Sequence, residues 1–265
     1  MKQNVKTILF DLDGTVYQNT TFHHDYLKFL VKGTKYESWE KPLIKFAEDI
    51  FSGKKLSMNQ FYEVDLISPS TPEELSLALK KRICPKMTYQ KAIEKSDVMF
   101  LGDAWAVVTI IGKTLGLLEN DRGEIIYRRT RNKMEQDGMK GNPRLKKAIV
   151  NLSQRHNIIL MSNSYKNTII EFLHQLDFDN IFQCICSSAN KPFEIIENLN
   201  KIDPEILKAP ENIIAIGDNA YNDLMPIQQK GGYTVWLNPF VNITHPVCDV
   251  ELVTLDDLAI FLDTL

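Results

Sequence analysis

No stretch of this 265-residue chain reaches the roughly 18 consecutive apolar residues of a membrane span, so no membrane partner is expected. Met1 to Lys6 lacks the long apolar run of a secretory signal. Cysteine is scarce. Cys84, Cys184, Cys186 and Cys248 are the whole supply and show no CxxC spacing, which excludes a disulfide scaffold and fits reduced thiols in a cytoplasmic protein. Neither sign of charge dominates: 31 Lys and Arg stand against 34 Asp and Glu, a net charge of −3. A nucleic-acid polymer is therefore not an expected partner, because such domains carry a basic excess. No repeat or low-complexity tract is present. What remains is ordinary globular composition, 44% hydrophobic and 25% charged, in a chain long enough to bury a large core without metal or disulfide staples.

Hydrophobic patterning divides the chain. Thr7 to Phe10 is a short apolar run of β type, followed at once by polar Asp11 to Thr15. Similar runs come late, at Ile158 to Met161, Ile181 to Cys186, Ile213 to Ile216 and Tyr233 to Leu237. Unbroken apolar runs of this length read as parallel strands buried on both faces. Helical patterns lie between them: Tyr165 to Leu176, with Ile169, Ile170, Phe172, Leu173 and Leu176 on one face, then Phe193 to Leu199 and Leu224 to Gln229. Leu255 to Leu265 closes the chain as an amphipathic helix. Alternating strands and helices predict βαβ units and a parallel sheet. Residues 16–142 break that rhythm and read as mostly helical, at His24 to Val31, Trp39 to Phe51, Thr71 to Ile83, Tyr89 to Glu94 and Ala104 to Leu118. Thr71 before Pro72, Glu73 and Glu74 is a good helix start. The expectation is an α/β protein with a Rossmann-like core from residues 1–15 and 143–265. A helical domain is inserted at 16–142, with hinges near Val16 to Thr21 and Gly138 to Pro143.

Polar clusters follow the strands, and in open parallel sheets ligands bind at the carboxyl ends of strands. The first cluster is Asp11-Leu12-Asp13-Gly14-Thr15. Residues two apart in an extended chain project to the same side. Two carboxylates aimed at one point repel by about 4 kcal/mol at 4 Å and an effective dielectric of 20, which calls for a cation or a proton between them. The second is Ser162-Asn163-Ser164; a hydroxyl and the following backbone N–H groups can hold an anionic oxygen. Alone, these serines read as helix caps. The third is Lys191 before Pro192, which alone reads as a solvated surface lysine. The fourth is Gly217-Asp218, with Asp223 five residues on. A cluster of carboxylates suits a hard cation such as Mg²⁺.

This order of motifs resembles the haloacid dehalogenase-like hydrolase superfamily, over Lys6 to Thr15 and from about Pro143 to the end. The resemblance implies a Mg²⁺-dependent phosphatase acting on a small phosphorylated metabolite. Asp11 would be the nucleophile that forms an aspartyl-phosphate. Asp13 would protonate the leaving alkoxide and then activate water. Ser162 and Asn163 would hold phosphoryl oxygens, and Lys191 would neutralise charge. Mg²⁺ would be held by the Asp11 carboxylate, the Asp13 carbonyl and Asp218, with Asp223 and Thr15 behind them. An acid at Asp13 marks the phosphotransferring members and disfavours carbon–halogen cleavage. The insertion after the first motif resembles the superfamily's first type of cap, which closes over small substrates. Ser162 to Asn167 is similar to a region of some pyrimidine 5′-nucleotidases. Rival expectations are a phosphomutase, which returns the phosphate to substrate, and a non-catalytic regulator that keeps the fold. A monomer or homodimer is expected.

Several other features read as structural. Gly102-Asp103 starts a helix. Gly112-Lys113-Thr114 is not a P-loop, since Val107 stands where glycine is needed. His23 and His24 are expected at the surface of a helix start, with entry into the site from the flap after the first strand as the alternative. Arg128, Arg129, Arg131 and Lys133 are expected to form a solvated face, with a strip attracting phosphorylated substrates as the alternative. Cys184, Cys186 and Trp105 are expected in cores.

Overall fold

The computed structural model describes residues 5–19, 21–241 and 244–265. Met1 to Asn4, and Thr20 in the first expected hinge, lie outside the described residues. The strands, in chain order, are β1 (Thr7–Phe10), β2 (Phe61–Glu63), β3 (Val98–Phe100), β4 (Asn157–Met161), β5 (Cys184–Cys186), β6 (Ile213–Gly217), β7 (Tyr233–Leu237) and β8 (Val250–Leu252). The α-helices are α1 (Phe22–Val31), α2 (Glu40–Phe51), α3 (Pro72–Lys81), α4 (Tyr89–Ala92), α5 (Ala104–Thr114), α6 (Arg122–Asp137), α7 (Pro143–Ser153), α8 (Lys166–Gln175), α9 (Ile195–Ile202), α10 (Met225–Gln228) and α11 (Leu255–Leu262). They fall into two compact units, Met1–Gln18 with Gly138–Pro239 and Val247–Leu265, and Asn19–Asp137 with Phe240–Pro246. The late loop joins the second unit through long-range hydrogen bonds: Val241 N–H donates to the Phe51 carbonyl (3.0 Å), and Asn59 Nδ2 donates to that of Thr244 (3.3 Å).

The first unit is built on a six-stranded sheet in the order β5-β4-β1-β6-β7-β8, every neighbouring pair parallel. In β1, Thr7 to Phe10 pairs with Asn157 to Leu160 on one side and Ile213 to Ile216 on the other. The four central strands are buried almost throughout. That is why they read as unbroken apolar runs rather than alternating ones. The edge strands β5 and β8 instead have an exposed middle residue between two half-buried ones. The expected strand over Ile181 to Cys186 is reduced to Cys184–Cys186. Phe182 packs edge-on against Phe10 at 5.9 Å; the Gln183 N–H still donates to the Ile158 carbonyl at 3.2 Å, while its side chain takes over the other half of the ladder. Its Oε1 accepts from the Ile158 N–H at 2.8 Å, and its Nε2 donates to the Ser153 carbonyl at 2.9 Å. Cys184 and Cys186 pack against the core only partly buried. Helix α7 was not expected. Asn142 and Pro143 do more than mark a boundary: the Asn142 side chain accepts from the Leu145 N–H at 2.9 Å, with Pro143 at the first helical position.

In the second unit, α1 packs against α2, α5 and α6, and β2 pairs antiparallel with β3. Two expectations fail here. His23 is not at the surface but 3% exposed, its ring edge-on to Phe51 at 5.1 Å. Arg131 is not on a solvated face either. It is 3% exposed, with its guanidinium over Trp105 (4.4 Å) and Tyr127 (5.1 Å). Facing two aromatic rings substitutes for hydration of the cation. Its neighbours behave as expected, since Arg128 and Lys133 pair with Glu124 and Asp137 one turn away. Asp103 caps α5, accepting from the Ala106 N–H at 2.6 Å.

Candidate active site

Because the sheet is parallel, the carboxyl ends of β1, β4, β5 and β6 lie along one rim. The chain runs from β1 outward through β4 to β5 and then returns to β6 on the other side of β1. This reversal is the switch point at which open α/β sheets bind ligands. Asp11 follows Phe10 directly and extends the ladder by one residue, its N–H donating to the Ile216 carbonyl at 2.9 Å.

Lys191 is not the solvated surface lysine that its local sequence suggests. It is 7% exposed, and its Nζ donates to Asp11 Oδ1 at 2.5 Å and to Asp223 Oδ1 at 2.6 Å, both carboxylates themselves buried. Asn163 holds the loop that carries it. The Lys191 N–H donates to Asn163 Oδ1 (2.7 Å), and Asn163 Nδ2 donates to the Lys191 carbonyl (3.2 Å). Ser162 is buried at the end of β4, and its Oγ accepts from the Ser164 N–H at 3.1 Å. Thr15 is fully buried and directs its hydroxyl to Asp11 Oδ2 at 3.5 Å.

Asp13 is gripped from two sides. Tyr17 donates its hydroxyl to Oδ1, and Ser164 Oγ donates to Oδ2 at 3.2 Å. At the end of β6, Trp236 Nε1 donates to the Asp218 carbonyl at 2.8 Å. Asp223 is fixed by the Asn219 N–H at 3.0 Å. Tyr17, Ser164 and Trp236 escaped the sequence reading as positioning groups. Ser164 and Tyr17 lie within or next to the motifs, so their nearness was a usable signal; Trp236, inside an apolar strand, gave none.

The charges do not balance. Asp11, Asp218 and Asp223 each bring a carboxylate oxygen within 4.8 Å of the others. With Asp13 close by, four acids face one ammonium. Burial pushes Asp11 up to about 8, against the pull of Lys191 and with the help of Asp223 and Asp13. Burial opposes the charge on Lys191, but the two carboxylates outweigh it and hold its pKa above the ordinary lysine value. The cluster thus retains a proton where a divalent cation would serve. Its all-oxygen donors are those that Mg²⁺ takes.

Space is as tight as charge. Gly14 has φ +81°, and a Cβ there would sit 2.0 Å from Asp218 Oδ2; a Cβ on Gly217 would sit 2.3 Å from Asp223 Oδ2. Glycine is required at position 14 both for the turn and for the approach of Asp218. Gly14→Ala is expected to displace the Asp218 carboxylate, weakening any Mg²⁺ binding at the cluster by about tenfold, and to cost about 1–3 kcal/mol in backbone strain. Calorimetric titration with Mg²⁺ checks this; an unchanged Kd would refute it.

The sequence matches the haloacid dehalogenase-like hydrolase family over residues 5–229. The chain belongs to this family. No curated protein matches it significantly. Solved structures share the fold at low identity. The HAD-hydrolase candidate YfnB of Bacillus subtilis, bound to magnesium, is 19% identical with a TM-score of 0.54, covering 98% of this chain and 100% of its own. A predicted phosphoglycolate phosphatase from Haemophilus somnus 129PT is 14% identical with a TM-score of 0.53, covering 100% and 99%. A β-phosphoglucomutase candidate from Thermotoga maritima is 13% identical with a TM-score of 0.50, covering 98% and 100%. In this haloacid dehalogenase-like hydrolase, the four expected strand ends do converge, and Asp11, Lys191 and Asp223 are in direct contact.

Proposed function

We propose that this hydrolase cleaves small phosphate monoesters through an aspartyl-phosphate on Asp11. The observation that carries the reading is the buried Lys191 ammonium between Asp11 and Asp223, with a second acid, Asp13, held two residues from Asp11. An Asp11 oxygen attacks phosphorus, the bond from phosphorus to the ester oxygen breaks, and Asp13 gives its proton to the departing alkoxide. Asp13, now a carboxylate, takes a proton from water. The resulting hydroxide displaces Asp11 from phosphorus, releasing inorganic phosphate and restoring both acids. Lys191 and Ser162 face the phosphoryl oxygens, and Asn163 keeps Lys191 in place through its backbone. Asp11, the Asp13 carbonyl and Asp218 are the groups assigned to Mg²⁺. When bound, the ion supplies charge neutralisation for the transferring phosphoryl group.

Asp13 supports this reading over carbon–halogen cleavage, which has no alkoxide to protonate. The inserted unit is assigned to substrate selection as a cap, because it interrupts the core directly after the first motif. Among the described residues no helix is long and apolar enough to cross a membrane. The four cysteines are free, in keeping with a cytoplasmic protein acting on soluble metabolites.

A panel of phosphorylated sugars, nucleotides and cofactors, assayed for inorganic phosphate with Mg²⁺ and with EDTA, tests the proposal. Turnover of at least one monoester is expected with Mg²⁺, and its loss with EDTA. Activity indifferent to EDTA would sink the metal assignment. Phosphate passed only to a second sugar hydroxyl would turn the reading toward a mutase.

A further inference from the structure

The second unit holds a separate group of metal-competent side chains. His23 and His24 lie in the first turn of α1, and Glu48 near the end of α2, with ligand atoms all within 4.8 Å of one another. His24 Nε2 and Glu48 Oε1 are 3.4 Å apart. Two ligands about 2.0–2.1 Å from one tetrahedral ion have roughly this spacing. An ion pair would explain His24 and Glu48 alone, but not His23.

His23 is 3% exposed, and neither Nδ1 nor Nε2 has a hydrogen-bond partner. A neutral imidazole has one donor and one acceptor, and burying both unpaired is unfavourable enough to require an explanation. Its neighbours are apolar or aromatic on two sides, with Phe22 at 6.3 Å and Phe51 at 5.1 Å between centroids, and the His24 ring lies 4.4 Å away. Burial, and then His24, push the His23 pKa down to about 4 against the opposing effect of Glu48. Both ring nitrogens are buried and unpaired, and a neutral imidazole keeps a lone pair for a metal.

We propose that His23, His24 and Glu48 form a second metal site, specific for a borderline divalent ion such as Zn²⁺, that pins α1 to α2. Two imidazoles and one carboxylate, with a fourth position left for water, are a donor set that Zn²⁺ adopts. The same nitrogen donors discriminate against Mg²⁺, which prefers oxygen. The two clusters of this chain therefore select different metals. The inference does not rest on the phosphatase reading, since neither α1 nor α2 carries a residue assigned to that chemistry.

Co²⁺ is the probe, because a tetrahedral site gives it strong visible absorption. The tag-free full-length protein is titrated with Co²⁺ in excess Mg²⁺, which saturates the acidic cluster. One equivalent of tetrahedral Co²⁺ is expected, displaced by Zn²⁺, with a rise in Tm on Zn²⁺ addition. His24→Gln and Glu48→Gln change half-exposed residues and leave the core intact. Each is expected to weaken Co²⁺ binding by about 100-fold or more and to remove the Tm shift. His23→Gln should do the same, with circular dichroism confirming its fold. Absence of the tetrahedral band, or a band that survives His24→Gln and Glu48→Gln, overturns the proposal.

Discussion

Replacing Asp11 with Asn is expected to lower monoester turnover on the order of 10⁴-fold or more, with the fold unchanged. The amide has the shape of the carboxylate and keeps an oxygen for Lys191 Nζ, which lies 2.5 Å from Oδ1. Asp223 still pairs with Lys191 at 2.6 Å, so the ammonium is not orphaned. On the proposed mechanism, what is lost is the anionic oxygen that bonds phosphorus. Phosphate release and the thermal transition, measured on the same preparation, decide the matter. Activity retained in the Asn variant would show that turnover arises elsewhere, whereas a collapsed transition would show that Asp11 serves the fold instead.

Lys191→Met has the opposite profile, because it should damage stability and activity together. The methionine fills the space of the aliphatic stem but leaves the Asp11 and Asp223 carboxylates, 8% and 5% exposed, without their common cation. Removing one partner of a buried ion pair costs about 3–5 kcal/mol. Asp11 is already raised to about 8 with Lys191 present, and removing the ammonium raises it further. A carboxyl whose folded pKa lies above its unfolded value stabilises the fold at low pH and loses that contribution as pH rises through the folded value. The wild-type Asp11 ionises only as pH passes about 8 and the variant's later still, so the deficit in Lys191→Met should be level at lower pH and grow above about pH 8. Mg²⁺ should recover part of it by restoring positive charge among the acids. Urea denaturation across that pH range, with and without Mg²⁺, measures all three effects. A variant as stable as the wild type at pH 8 without metal would mean that Lys191 is not the counter-charge of the cluster.

The legible part of this protein was the part written in short stretches of chain. Thr7 to Phe10, Asn157 to Met161, Ile213 to Gly217 and Tyr233 to Leu237 announce themselves because central parallel strands are apolar on both faces. Asp11 and Asp218 were readable because each follows such a strand directly, and Asp13 and Gly14 because they share the short turn that Asp11 opens. Edge elements were harder. Three-residue Val250–Leu252 is too short to show a period, and Gln183 replaces half of its ladder bonding with a side chain without a pattern that marks it. Helix α6 hid behind its charge, since nothing local distinguishes Arg131 from Arg128 until Trp105 and Tyr127 are brought against it.

The order of apolar runs and acidic turns was enough to determine a parallel sheet, its carboxyl-end rim and the acids upon it, since strand burial and backbone direction follow from neighbours in the chain. Only tertiary structure decided the charge state and partners of those acids. Lys191 became a buried counter-ion, Tyr17 and Ser164 closed on Asp13, and His23 lost its solvent. Apart from Tyr17, four positions from Asp13, these outcomes depend on partners tens to hundreds of positions away, and no local pattern records which groups will lose water together.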